Sequence, residues 1–120
     1  MKLFKIKEIL EAEMLCCAEY LDKDIEVACG SDLLSDVLAF TNAHALLLTG
    51  LINPQVIRTA ELVDIEAICF VRGKRPEKSI ITLAEKKNIS VLCTQYQMYE
   101  ACGKLYMGGL ARSANVLKEL

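Results

Sequence analysis

Residues 45–74 read ALLLTGLINPQVIRTAELVDIEAICFVRGK. The apolar run Ala45 to Leu48 closes on Thr49-Gly50, and Asn53-Pro54 then opens a segment in which Val56, Ile57, Ala60 and Val63 recur at helical spacing. Asn is a strong helix cap, and Pro at the first helical position gives up an N–H that had no partner there. Arg58, Glu61 and Asp64 fall on the opposite, outward face. A second apolar run, Ala67 to Val71, follows and closes on Arg72-Gly73-Lys74. Two short apolar runs joined by one amphipathic helix are how a buried parallel sheet appears in sequence.

The same grammar extends in both directions. Upstream, Ile25 to Cys29 leads through Ser31-Asp32 into a helix with Leu34, Val37, Leu38 and Thr41 on one face, closed by Asn42 to His44. Downstream, Pro76 begins a helix with Ile80, Leu83 and Ala84 inward and Lys86-Lys87 near its carboxyl end, where the helix dipole favours cations. Ser90 to Cys93 forms the next strand, and after Thr94-Gln95 a helix from Tyr96 to Met107 turns Met98, Ala101, Cys102 and Leu105 inward and ends at Gly108-Gly109. Ahead of these lie a short helix, Lys5 to Ala12, and a short first strand, Met14 to Cys17; behind them, Leu110 to Leu120 is helix-prone, with Leu110, Ala114 and Leu117 on one stripe. The strands repeat about every 22 residues, the period of an α/β sheet. We therefore expect residues 1–120 to form a single-domain α/β fold, a mainly parallel sheet of four to five strands with crossover helices.

Composition bounds the function. The 120 residues are 53% hydrophobic, with a mean hydropathy of +0.30, yet no apolar stretch is long enough to span a bilayer. The surplus apolar surface of so small a domain points to an oligomer interface, and we expect a homodimer. A net charge of −2 with scattered Lys and Arg leaves no electrostatic footprint for nucleic acid. Met1 to Glu13 alternates charge with Ile and Leu rather than forming a signal peptide, so a cytoplasmic location is expected. The six cysteines show no CxxC or CxxH spacing, which argues for reduced thiols behaving as small hydrophobes rather than a metal or cluster site. Neighbouring Cys16 and Cys17 would face opposite sides of a strand, exposing one of them.

Because each strand ends in a polar cluster, Ser31 and Asp32, Thr49 and Gly50, Arg72, Gly73 and Lys74, and Thr94 and Gln95 should share the carboxyl edge of the sheet, where open α/β sheets bind ligands. Thr49, Gly50 and Asn53 suit either turn chemistry or contact with an anion through backbone N–H groups. Arg72 and Lys74 could neutralise a phosphate or carboxylate, or form a solvated charge run. Asp32 reads as the cap of the following helix and Asp36 as an early-helix acid, although together they could offer paired carboxylates. Arg58 has Glu61 three residues on, at ion-pair spacing. Tyr96 could stack on a base, while Tyr96, Tyr99 and Tyr106 all read as core or interface packing. His44 precedes a strand and so belongs at the amino end, away from the polar edge. No residue set amounts to a catalytic or metal-binding signature, and no cofactor is implied.

The order of elements, with Ser31-Asp32-Leu33-Leu34-Ser35-Asp36-Val37-Leu38, Leu46-Leu47-Leu48-Thr49-Gly50, Asn53-Pro54-Gln55-Val56-Ile57-Arg58-Thr59-Ala60 and Val71-Arg72-Gly73-Lys74, resembles the DRTGG domain family over nearly the whole chain. The likeness is to small stand-alone members, some of them encoded beside iron-hydrogenase and other redox genes. It implies a fold similar to the amino-terminal domain of HPr kinase, without catalytic activity of its own. It also implies a regulatory or assembly role, since such domains accompany nucleotide-binding CBS domains and contribute to dimerisation in regulated pyrophosphatases, and precede the catalytic part of phosphate acetyltransferases. The expectation is a non-enzymatic regulatory module that holds a small anionic ligand or adenine nucleotide at Ser31, Asp32, Thr49, Gly50, Asn53, Arg72, Gly73, Lys74 and Thr94. The alternative is a docking domain for a redox enzyme such as an iron hydrogenase, with no small ligand.

Overall fold

A computed structural model of the protein describes residues 1–41 and 43–110. Its elements are α1 (Leu3–Ile9), β1 (Glu13–Cys16), β2 (Val27–Gly30), α2 (Leu34–Phe40), β3 (Ala45–Thr49), α3 (Pro54–Leu62), β4 (Ala67–Phe70), α4 (Lys78–Lys86), β5 (Ser90–Cys93) and α5 (Met98–Met107). The strands form one sheet in the order β1-β5-β4-β3-β2. β2 to β5 are parallel, as the repeat predicts, and β1 adds to β5 antiparallel. The helix expected from Leu110 onward lies, after Leu110, outside the described residues.

Strand alternation divides the core into two layers. Leu47, Ile68, Phe70 and Val91 point to one side, where they meet Val37 of α2, Val56, Ile57 and Ala60 of α3, and Ile80 and Ala84 of α4. Leu46, Leu48, Cys69 and Leu92 point to the other, against Leu3 and Ile6 of α1 and Ala101 and Leu105 of α5. The parallel strands lie in sequential order, so each of the crossovers α2, α3 and α4 advances the same way and all three cover one face. α5 leaves β5 for the opposite face. The loops after β4 and β5 therefore diverge, the arrangement that opens a crevice at a carboxyl edge.

Local chemistry sets the element ends. Asn53 Oδ1 accepts the Gln55 N–H at 2.8 Å, with Pro54 in the first turn, as the sequence implies. At the end of α5, the Leu110 N–H reaches the Leu105 carbonyl at 3.0 Å and the Gly109 N–H reaches that of Tyr106 at 3.1 Å. This is a Schellman closure, and Gly109 supplies its positive φ of 100°. Two helices start later than expected. Pro76 is buried ahead of α4, which begins at Lys78, and Tyr96 lies in a bend ahead of α5, which begins at Met98, its carbonyl accepting the Arg72 N–H at 2.8 Å.

Candidate functional site

The fold brings the polar strand ends to one edge, and two hydrogen-bonded groups occupy it. In the first, Asp32 Oδ1 accepts from the Thr49 hydroxyl at 3.0 Å and from the Gly50 N–H at 2.7 Å, while Thr49 Oγ1 accepts the Leu51 N–H at 3.1 Å. Asp32 therefore does not cap α2, contrary to the sequence reading. Leu33 takes the cap position with no side-chain bond, because the Asp32 carboxylate is drawn across to the end of β3. Ser31 instead stabilises the turn, its hydroxyl oxygen accepting the Leu33 N–H at 3.1 Å. Asp36 keeps its place as the acid in the first turn of α2.

Arg72 joins this group from the side. Its backbone is left-handed, at φ 63°, and its guanidinium lies against Gly50, where a Cβ would come within 2.6 Å of Arg72 Nη2. The missing side chain of Gly50 is what admits the guanidinium. Among the described residues neither Arg72 nor Lys74 forms an ion pair, whereas neighbouring Arg75 bonds Glu13 at 2.6 Å.

The second group fills the crevice between the diverging loops. Besides the Arg72 bond to Tyr96, the Gly73 N–H donates to the Thr94 carbonyl at 2.8 Å. The Thr94 side chain is buried, its hydroxyl donating to the Leu10 carbonyl at 2.6 Å and accepting the Tyr96 N–H at 3.3 Å. Gly73 and Thr94 thus spend their polar groups joining loop to loop, and Asn53 spends its side chain on α3. Of the residues named from the sequence, the structure joins Asp32, Thr49, Gly50 and Arg72 directly, with Ser31 beside Asp32; Lys74 is exposed at the rim.

The remaining candidates fall elsewhere. His44 sits at the amino end, exposed, with Nδ1 3.0 Å from Glu66 Oε1; Lys23 also pairs with Glu66. Burial alone would raise the Glu66 pKa, but the bonds from Lys23 and His44 outweigh it and hold the carboxyl below its usual value of 4.5. Glu61 pairs with Lys87 at 3.0 Å rather than with Arg58, a correction to the helical spacing argument. Tyr96 bonds Glu11 through its hydroxyl, and Lys104 Nζ covers one ring face at 4.7 Å from the centroid. Tyr99 and Tyr106 are not core residues: they are 89% and 60% exposed. With Ile9, Cys102, Gly103, Lys104 and Met107 they line a shallow cavity of about 820 Å³ on the outer face of α5. Sequence periodicity missed it because it looks for apolar residues on the inward stripe.

The described cysteines are free thiols. Cys16 and Cys17 do not alternate across the sheet as neighbouring strand residues should. Cys17 is left-handed, at φ 60°, and both side chains pack against the same layer, Cys17 half-buried. Burial pushes the thiols of Cys16 and Cys69 up to about 12, which keeps them protonated and poorly nucleophilic. Among the described residues no cluster of three His, Cys, Asp or Glu side chains is placed to hold a metal, and no helix is long and apolar enough to cross a membrane.

Comparison with known proteins supports the same architecture. The chain is similar to the CBS and DRTGG domains of the regulatory region of Clostridium perfringens pyrophosphatase, a structure complexed with its activator diadenosine tetraphosphate. The identity is 19% and the TM-score 0.70, over 95% of this chain and 51% of that one. The likeness is one of fold, and this chain spans about half the length of that neighbour. No curated protein is significantly similar to it. A model of the DRTGG domain matches residues 5–106, so the chain belongs to the DRTGG domain family.

Proposed function

We propose that this protein is a regulatory module without chemistry of its own, cytoplasmic and homodimeric, which contacts a small anionic ligand at the carboxyl edge of its sheet. The observation that carries the reading is the Arg72 guanidinium resting on Gly50 with no counter-ion among the described residues, beside two donors that already hold a carboxylate oxygen. A guanidinium without a counter-ion at a strand end is suited to phosphate. An adenine nucleotide is the first candidate, in keeping with the diadenosine tetraphosphate in the pyrophosphatase regulatory region. Ser31, Asp32, Thr49, Gly50, Arg72 and Lys74 form the working set. Asn53, Gly73 and Thr94 support it by holding the loops.

Calorimetric titration with AMP, ADP, ATP and acetyl phosphate tests the reading. Saturable binding to one of them, lost in Arg72→Ala, is the expected result; four flat titrations overturn it. A second reading, docking to a redox enzyme such as an iron hydrogenase, draws on the exposed Tyr99, Tyr106 and Met107. It predicts flat titrations together with co-elution from gel filtration with the purified enzyme.

A further inference from the structure

Gly103 stands in the middle of α5 without a structural reason among the described residues. A glycine inside a helix costs about 0.5–1 kcal/mol relative to alanine. Such glycines usually make room for a close neighbour, yet a Cβ built on Gly103 meets nothing within 4 Å among the described residues. The space it leaves lies outward, in the floor of the shallow cavity on α5. One helical turn before it is Tyr99, 89% exposed, and one turn after it is Met107, 87% exposed.

We infer that the outer face of α5 is the contact between two copies of this chain, packed antiparallel about a two-fold axis at Gly103. This deepens the homodimer of the proposed function by assigning its surface. The stripe is self-complementary under that operation. Reversing the helix about Gly103 sets Tyr99 of each copy against Met107 of the other, a sulfur–aromatic contact, on both sides of the axis. The flanks match too. Glu100 and Lys104 lie on one flank of the stripe, Cys102 and Tyr106 on the other, as the helical repeat places them. A two-fold keeps each flank against its own copy with direction reversed, so Glu100 comes opposite Lys104 of the second copy and Tyr106 opposite Cys102. Gly103 lets the two backbones approach more closely than the usual helix spacing of about 8–10 Å.

Sedimentation of the full chain over a concentration series from about 1 to about 500 µM tests this, the range suited to a contact at the small end of specific interfaces. The wild type is expected to dimerise. Gly103→Arg should weaken the dimer by about tenfold or more, while leaving the melting temperature of the monomer equal or higher, because Arg is the better helix former. Glu100→Lys and Lys104→Glu should each weaken association, and the double exchange should restore it. A Gly103→Arg protein that still dimerises like wild type overturns the assignment and leaves the homodimer standing. A Gly103→Arg monomer that melts well below wild-type monomer overturns it as well, since the face is then covered by the chain itself. A wild type that stays monomeric at the highest concentration removes the homodimer too.

Discussion

At the carboxyl end of the sheet Asp32 bonds to neutral partners and Arg72 has no ion pair among the described residues, although Arg75 pairs with Glu13 on the β1 side, whereas at the amino end the carboxylates Glu66 and Glu61 are each held by a cation. Asp32 accepts from a hydroxyl and an amide, and Arg72 rests on the Gly50 backbone. At the other end Glu66 is held by Lys23 and His44, and Glu61 by Lys87. Both ends belong to the same strands, so the contrast comes from the loops. An end closed by ion pairs has little to offer a charged ligand. An end whose carboxylate and guanidinium are held apart by backbone and hydroxyl groups keeps a cation for one.

The largest expected effect breaks the carboxyl end at its centre. Asp32→Ala leaves the fully buried Thr49 hydroxyl and the Gly50 N–H without their acceptor, and should lower stability to urea by about 2–3 kcal/mol. Asp32→Asn retains an acceptor oxygen and should lose about 1 kcal/mol or less. An unfolding midpoint for Asp32→Ala equal to wild type would show that the bonds do not hold this end.

A smaller effect is expected where the loops meet. Gly73 has a φ of 70°, and a Cβ there would stand 2.6 Å from Gln95 Oε1. Gly73→Ala should cost about 1–2 kcal/mol, mostly from the left-handed backbone. Adding Gln95→Ala should recover only a minor part of the loss. Gly50→Ala sharpens the contrast, since the nearest atoms to its Cβ belong to the far end of the Arg72 side chain. Stability should stay within about 0.5 kcal/mol of wild type, while nucleotide binding in the titrations above falls as the guanidinium is displaced.

The smallest effect lies at the amino end. Glu66→Gln removes partly exposed ion pairs and should cost about 0.5 kcal/mol at neutral pH, less in high salt. The sign with pH follows from a folded carboxyl pKa below 4.5. The wild-type advantage is fully present above that value and disappears as the pH falls through the depressed folded pKa. A difference that grows as the pH falls below 4.5 would contradict the Glu66 pairing.

Residues that act on their own neighbourhood were legible. Asn53-Pro54 started α3, Gly109 closed α5, and the apolar runs marked the parallel strands, because capping, turn geometry and strand alternation depend on residues a few positions apart. His44 was placed at the amino end for the same reason. Asp32 was misread because a carboxylate at a helix start can cap the helix or cross to the next strand, and the donor that decides lies 17 residues away at Thr49. Thr94 was read as a ligand contact, yet its hydroxyl goes to Leu10, 84 residues distant. Tyr99 and Tyr106 share a helix with buried Ala101 and Leu105, and only the packed position of α5 shows which face they take.

The sequence by itself determined the α/β alternation, the shared edge of the strand ends and the surplus of apolar surface, since each follows from local propensity or from composition. Tertiary structure alone decided which polar groups at that edge were consumed and which apolar residues remained outside. Those outcomes depend on which donor and acceptor lie within hydrogen-bonding reach, and on which face of a helix the sheet covers. Both are set by how distant segments pack, not by the order of residues along the chain.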